Sequence, residues 1–113
     1  MLVNCSKVDG VGVIQLSAAL TAATVDSFRD QFALWQEAER YVKNYVLDLE
    51  NVDFMDSAGL GTLIAMLKRI SEHGGDMKIV NLQKKPRMIF EITRAYKVFE
   101  IYESIDDAIQ GFD

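Results

Sequence analysis

The chain has 113 residues, of which 50% are hydrophobic and 26% are charged, and its net charge is -5. This length and composition are typical of a single globular domain, 1–113, and exclude a disordered chain. An acidic chain lacks the basic surface that nucleic-acid binding requires, and no apolar run approaches the roughly 18 residues of a membrane span. We therefore predict a cytoplasmic protein that binds neither nucleic acid nor membrane.

Cysteine and histidine each occur once, as Cys5 and His73. One cysteine cannot form an internal disulfide, and the two residues together cannot supply the ligands of a usual zinc site. We predict no metal and no cofactor, and Cys5 is most simply a small buried hydrophobe in a strand.

The first third of the chain predicts a hairpin followed by a helix. Two strands, 2–8 and 11–17, flank an Asp-Gly pair, which is a strong signal for a tight hairpin turn. Thr24 is a suitable N-cap, and the apolar residues after it predict a helix that ends near Tyr41. The stripe consists of Val25, Phe28, Phe32 and Trp35.

The middle third predicts a strand, a helix and a second strand. "YVLDL" (45–49) is short and apolar, as in a central strand covered on both faces. A helical stripe follows, and the pair Gly74-Gly75 ends that helix before the strand "MKIVNL" (77–82). The stripe consists of Leu60, Leu63, Ile64, Leu67 and Ile70.

The last third predicts two further helices around a short strand, 98–102. Pro86 suits the first turn of the third helix, and Ser104 with Asp107 resembles a capping box at the start of the fourth. The predicted stripes are Ile89, Ile92, Thr93 and Tyr96, then Ile105, Ala108, Ile109 and Phe112. Alternating strands and helices predict an α/β domain with a central mixed sheet of about five strands and about four helices.

The segment "DFMDSAGLGTL" (53–63) lies between a predicted strand and a predicted helix and matches no common enzyme motif. Met55 stands where a nucleophile elbow requires glycine, and Ile64 stands where a dinucleotide fingerprint requires one. We therefore predict that the protein is not an enzyme. Nucleotide binding at the helix N-terminus stays open as a third reading, because such a terminus can hold an anion.

Asp56 or Ser57 is the natural cap of the helix that follows, and Gly59 and Gly61 leave its backbone bare for a partner's close approach. A phosphoryl group on Ser57 would add roughly -1.5 to -2 charges at the favourable end of the helix dipole. The domain should tolerate that charge, whereas a partner that must desolvate it should not. The segment therefore predicts a docking surface that phosphorylation switches off.

The stretch "VLDLENVDFMDSAGLGTLIAMLKRISEHGGDMKIVNL" closely resembles the core of the STAS family, the domain of bacterial anti-sigma factor antagonists. The similarity continues more weakly toward both ends of the chain. Its most specific element is the acid-serine-small-glycine-leucine-glycine turn, followed by an amphipathic helix and Gly-Gly. The resemblance implies a small α/β fold around a mixed sheet.

By that resemblance, Ser57 accepts phosphate from an ATP-dependent anti-sigma factor, a serine kinase. The unphosphorylated protein binds the anti-sigma factor and frees the sigma factor, the phosphorylated protein lets go, and a PP2C-type phosphatase resets it. The partner-binding residues are then Asp56, Ala58, Gly59, Leu60, Gly61 and Thr21.

Thr21 departs from the family pattern. Family antagonists often carry a Gly-x-Leu-Asp element whose aspartate lies near the phosphorylated serine, and the corresponding run here is "AALT". Thr21 cannot supply that charge, which favours a second reading: a STAS interaction module that regulates a phosphatase, cyclase or transport complex without sigma-factor control. An exposed edge strand would also allow the chain to form a homodimer.

Overall fold

The computed structural model describes residues 2–112 of the chain. The strands are β1 (Val3–Val8), β2 (Val11–Leu16), β3 (Asn44–Asp48), β4 (Asp76–Val80) and β5 (Ile101–Tyr102). The helices are α1 (Val25–Ala38), α2 (Ser57–Glu72), α3 (Lys84–Ile92) and α4 (Ile105–Gln110), with a 3₁₀ turn at Ala95–Lys97.

The five strands form one sheet in the order β1-β2-β3-β4-β5. β1 runs antiparallel to β2, and β2, β3, β4 and β5 run parallel to one another. The parallel pairs follow from the crossovers, because a strand that leaves the sheet through a helix returns in the same direction. The predicted α/β fold, with its mixed five-stranded sheet and four helices, is confirmed.

The two faces of the sheet are covered unequally. Helices α1, α2 and α3 pack on one face and form the main core with it. Fully buried members of that core include Phe28, Leu47, Leu63 and Phe90. The short helix α4 covers the other face, where Ala108 packs with Val46 and Val80. Burial on both faces explains why β3 is almost continuously apolar rather than alternating.

Two local signals near the chain's ends are confirmed. Asp9 and Gly10 form the predicted hairpin turn, with positive φ angles of 53° and 79°. Ser104 caps α4, because its Oγ accepts a hydrogen bond from the Asp107 N–H at 3.1 Å. Cys5 is half-buried, and burial raises the pKa of its thiol.

Helix α1 ends at Ala38, before the predicted end near Tyr41. Glu39 leaves the helical region of backbone angles, with φ -117° and ψ 52°, although its N–H still donates to the Trp35 carbonyl at 2.9 Å. The Val42 N–H then donates to the Glu39 carbonyl at 3.0 Å, so a turn leads the chain into β3.

The predicted stripe of α3 is largely wrong. It comprises Ile89, Ile92, Thr93 and Tyr96, of which Ile89 packs against the core. Ile92 is 79% exposed, and Pro86 and Phe90, one helical turn apart, face the core instead. The helical period does not reach residue 96, because α3 ends at Ile92 and Arg94 takes a left-handed φ of 60°.

The predicted strand 98–102 is shortened to Ile101–Tyr102. Val98 ends the 3₁₀ turn and is 56% exposed, so it does not pair with β4. Pairing begins at Ile101, whose partner in β4 is Ile79. No helix within residues 2–112 combines the length and apolar character that crossing a bilayer requires.

Candidate functional site

The candidate site lies at the start of α2, near the carboxyl ends of the parallel strands. Leu20 and Met55 form an isolated parallel bridge. The Leu20 N–H donates to the Phe54 carbonyl at 3.1 Å, and the Asp56 N–H donates to the Leu20 carbonyl at 3.3 Å. These bonds hold the β2–α1 loop, 17–24, against the segment that leads into α2.

Asp56 caps α2 and also ties down the β2–α1 loop. Its Oδ1 accepts from the Gly59 N–H at 2.9 Å, and its Oδ2 accepts from the Ala22 N–H at 3.1 Å. Hydrogen bonds from Gly59 first, and then from Ala22, stabilise the carboxylate and lower the pKa of Asp56 from its ordinary value of 3.8. Of the two predicted caps, Asp56 and Ser57, the structure selects Asp56.

Ser57 is the first residue of α2, and it is exposed. Because Asp56 is the cap, the Ser57 hydroxyl is not needed to satisfy the first N–H groups of the helix. Among residues 2–112, no side-chain hydrogen bond holds that hydroxyl. It therefore faces solvent at the positive end of the α2 dipole.

Gly59 and Leu60 are both buried, although they are predicted to line a docking surface. A Cβ at Gly59 would lie 2.2 Å from the Leu20 carbonyl oxygen, far inside contact distance. The bare backbone of Gly59 therefore admits the protein's own β2–α1 loop, which corrects the predicted reason for this glycine. Leu60 is 5% exposed and belongs to the main core. Both residues hold the loop and helix together from inside the fold.

One face of α2 carries Ser57 outward. Ser57, Gly61 and Ile64 follow at i, i+4 and i+7, a spacing that places them on one side of a helix. A Cβ at Gly61 would meet nothing within 4 Å, and Ile64 is 42% exposed. Phe54, two residues before the cap, is 50% exposed. We call Phe54, Ser57, Gly61 and Ile64 the Ser57 face.

Sequence reasoning missed both apolar members of this face. Ile64 was predicted on the buried stripe, and that prediction is wrong, since Leu63 and Met66 are the buried residues on either side of it. Ile64 follows Leu60 by four residues but also follows Ser57 by seven, so its spacing fits both sides of the helix. The spacing of seven residues from Ser57 is the sequence signal that could have placed Ile64 on the exposed face.

The structure places Thr21 in the loop that Asp56 holds. Thr21 is half-buried, and its neighbour Ala22 donates the N–H that binds Asp56. The Thr21 hydroxyl accepts from the Ala23 N–H at 3.2 Å, so it shapes the loop and brings no charge toward Ser57. Thr24 does not cap α1 with its side chain, because its Oγ1 accepts from the Thr21 N–H at 2.9 Å.

Within residues 2–112, neither a histidine nor a metal-binding cluster lies beside Ser57. His73, the sole histidine, follows the last residue of the 16-residue helix α2. At about 1.5 Å of rise per residue it lies roughly 24 Å from Ser57, too far to act as its base. Within the described residues, no group of three or more His, Cys, Asp or Glu side chains is placed to hold a metal ion.

Comparison with known proteins identifies the fold family. The model of the STAS domain matches residues 3–108. An anti-sigma F factor antagonist of Paenibacillus polymyxa is 31% identical over 102 residues, which cover 88% of this chain and 85% of that protein.

Solved structures agree with this match. An anti-sigma factor antagonist from Mycobacterium paratuberculosis superposes with a TM-score of 0.83 at 24% identity, covering 96% of this chain and 91% of that one. The phosphorylated form of the Bacillus cell fate determinant SpoIIAA superposes with a TM-score of 0.71 at 19% identity, covering 98% and 99%. The matched family model and the related sequences show that this chain belongs to the STAS domain family.

Proposed function

We propose that this protein is an anti-sigma factor antagonist, a cytoplasmic binding module without catalytic activity. It docks an anti-sigma factor kinase through the Ser57 face and the β2–α1 loop, and phosphorylation of Ser57 releases the partner. The observation that carries the proposal is the exposed Ser57 hydroxyl on the first turn of α2, beside an acid that already serves as the cap. The anti-sigma F factor antagonist among its relatives supports the assignment.

The Ser57 face combines a modifiable hydroxyl with apolar contact area. Phe54 and Ile64 are half-exposed, and Gly61 has open space where a side chain would lie. A partner that covers this face buries the apolar side chains and must also desolvate Ser57. Docking therefore depends on the charge of residue 57.

The kinase transfers the γ-phosphoryl group of ATP to the Ser57 Oγ. The new bond joins this oxygen to phosphorus, ADP leaves, and a base of the kinase takes the hydroxyl proton. A PP2C-type phosphatase reverses the switch when water attacks the phosphoserine and releases inorganic phosphate. The chain's own part is to present the hydroxyl at the positive end of a helix, where the product charge is tolerated.

Phosphoserine at position 57 would lie next to the carboxylate of Asp56 and near the exposed Asp53. These carboxylates are negative and cannot neutralise the phosphate, so they leave its charge unpaired when an interface covers it. Burying an unpaired charge at an interface costs about 2–5 kcal/mol, or roughly thirty-fold to several-thousand-fold in affinity.

The test is a titration of the anti-sigma factor kinase with three variants. We expect Ser57→Ala to bind constitutively and Ser57→Asp to bind at least about thirty-fold more weakly. Ser71→Asp is the matched control, because Ser71 is exposed near the other end of the same helix. Phosphate mapped by mass spectrometry to another residue, or equal affinities of Ser57→Ala and Ser57→Asp, would contradict the proposal.

A second candidate function is a STAS interaction module outside sigma-factor control, in a phosphatase, cyclase or transport complex. It is favoured by Thr21, whose hydroxyl is engaged within the loop and brings no carboxylate toward Ser57. Purification of tagged protein from its own cells discriminates between the two. Recovery of a histidine-kinase-like ATPase supports the antagonist, and recovery of a cyclase or transporter supports the module.

We also propose that the free edge of β1 allows homodimer formation. β1 pairs with β2 along one side and presents its backbone on the other, apart from the Val3 N–H, which donates to the Gln31 Oε1 at 3.1 Å. Sedimentation at increasing protein concentration tests this, and a constant monomer mass contradicts it.

A further inference from the structure

A cavity of about 430 Å³ opens at the end of the molecule opposite Ser57. It lies between the C-terminal ends of α1 and α2 and the segment that enters β3. Its lining consists of Gln36, Arg40, Val42, Lys43, Tyr45, Arg69, Ile70 and His73. We call it the basic cavity.

The basic cavity is built from two pairs of side chains at helical spacing. Gln36 and Arg40 are four residues apart on and just after α1, and Arg69 and His73 are four residues apart at the end of α2. Arg40 lies two residues past the end of α1 and His73 is the C-cap of α2, and the two pairs line the space from both sides. Lys43 adds a third side from the segment before β3.

The charge of this lining is one-sided. Arg40, Lys43 and Arg69 are cations, and among residues 2–112 no carboxylate contributes to the walls. Within the described chain, no carboxylate forms an ion pair with Arg40, Lys43 or Arg69, whereas Lys7, Arg29 and Lys78 each have one. A protein of net charge -5 thus keeps three unpaired cations around one concave space.

His73 adds a positioned ring to these cations. Its Nδ1 lies 2.8 Å from the Arg69 carbonyl oxygen, which can only accept, so Nδ1 is the donor. The ring is therefore fixed at the helix end.

A smaller space of about 90 Å³ lies between α1 and α2 and shares Gln36, Arg69 and Ile70 with the basic cavity. Phe32 and Met66 supply apolar surface there. A ligand whose anionic group binds the cations therefore has room for a small organic moiety in the crevice between α1 and α2.

We propose that the basic cavity binds a small polyanion through its phosphate or carboxylate groups, held by Arg40, Lys43 and Arg69. Arginine and lysine bind both groups through charge-assisted hydrogen bonds. The ligand contacts side chains only, because the carbonyl ends of α1 and α2 repel an anion. This site does not depend on the function proposed for Ser57, which lies about one helix length away.

An alternative explanation of the basic residues around the cavity requires no ligand. Cations near the C-terminal ends of helices are favourable through the helix dipole, so the basic residues could serve α1 and α2 alone. That alternative predicts no saturable binding, which makes the two explanations separable.

The experiment is calorimetric titration of the full chain with pyrophosphate and, separately, with citrate, at physiological ionic strength. The double variant Arg40→Gln/Arg69→Gln removes two charges from the lining, and Lys68→Gln removes one charge from the adjacent exposed position of α2. We expect saturable binding of at least one probe, weakened at least about tenfold in the double variant and unchanged in Lys68→Gln.

The double variant Arg40→Gln/Arg69→Gln should remain folded. Circular dichroism and thermal melting without ligand check this. Absence of binding by the wild-type chain to both probes would overturn the proposal. Weakening by Lys68→Gln equal to the weakening per charge removed in the double variant would overturn it too, because binding would then follow overall charge.

Discussion

The two ends of α2 satisfy their unpaired backbone hydrogen-bonding groups by different means. At its start, the carboxylate of Asp56 accepts the Gly59 N–H, so a side chain satisfies the helix and also fixes a distant loop. At its end, the N–H groups of Gly74 and Gly75 donate to the Ser71 and Ile70 carbonyls, each at 3.0 Å, so backbone groups satisfy these carbonyls, and the His73 ring adds a bond to the Arg69 carbonyl. The second arrangement is a Schellman motif.

Each end also has the charge that the helix dipole favours, and each shapes a different surface. The acidic start presents an exposed hydroxyl on an open face, which suits a protein partner. The basic end encloses a cavity, which suits a small ligand. The same dipole therefore favours an acidic cap at one end of the helix and basic side chains at the other.

Each end contains a glycine packed against a carbonyl from another part of the chain. A Cβ at Gly59 would lie 2.2 Å from the Leu20 oxygen, and a Cβ at Gly75 would lie 1.8 Å from the Lys43 oxygen. Both contacts are with backbone, which cannot rotate away as a side chain can. These two glycines fix how α2 sits against the loops at its ends.

The largest predicted effect is therefore the loss of stability in Gly59→Ala and in Gly75→Ala. Each methyl group must displace a hydrogen-bonded loop, and we expect each variant to lose about 3 kcal/mol of unfolding free energy in urea titrations. Gly59→Ala should also disturb the Ser57 face, and Gly75→Ala the basic cavity beside Lys43. Wild-type stability in either variant would show that the loop at that end is free to move.

These packed glycines show where sequence reasoning stops. Periodicity and turn signals predicted each strand and helix type, because those depend on neighbours within a few residues. The contact between Gly59 and Leu20 joins residues that are far apart in the chain. A glycine required by a tertiary contact has the same sequence appearance as one left bare for a partner.

Buried charge shows the same limit. Lys78 is 2% exposed in β4, and its Nζ lies 2.7 Å from the Glu100 Oε2 and 4.7 Å from the Phe112 ring centroid. Asp76, two residues earlier in β4, is a further partner at 3.5 Å, but Glu100 and Phe112 lie beyond β4 in the chain, so the strand's pattern alone does not reveal them. Burial is the largest single influence and lowers the pKa of Lys78, but the hydrogen bond and charge of Glu100, with Tyr102 and Asp76, together raise it above its ordinary value.

The candidate site was predictable to the extent that it is local. The motif identified Ser57 and its acid neighbour, and the structure exposes the hydroxyl. The shape of the Ser57 face was not predictable, because the exposure of Ile64 depends on how α2 is rotated against the sheet. The basic cavity combines three segments and gives no sequence motif.

A smaller effect separates two glycines near the two ends of α2 at which an added Cβ would touch nothing. Gly61 and Gly74 both have open space where a Cβ would lie, but Gly74 has a left-handed φ of 82°. We expect Gly74→Ala to lose about 1–2 kcal/mol and Gly61→Ala to gain about 0.5–1 kcal/mol, because alanine favours a helix and disfavours that φ. Thermal and urea unfolding of both variants measure the difference. Destabilisation by Gly61→Ala would mean that its surroundings are tighter than the structure shows.

The smallest effect depends on pH and again distinguishes a side-chain cap from a backbone closure. The folded-state pKa of Asp56 lies below its ordinary value of 3.8, so the carboxylate stabilises the fold above that pH and loses this contribution as the pH falls through the lower folded value. Asp56→Asn should therefore be less stable than the wild type at neutral pH, and the gap should narrow in melts between about pH 5 and about pH 2. The deficit of Gly74→Ala should stay constant across that range, because backbone carbonyls, not a carboxylate, accept the N–H groups of Gly74 and Gly75. A gap in Asp56→Asn that does not narrow in acid would mean that the hydrogen bonds from Gly59 and Ala22 do not depend on the ionised carboxylate.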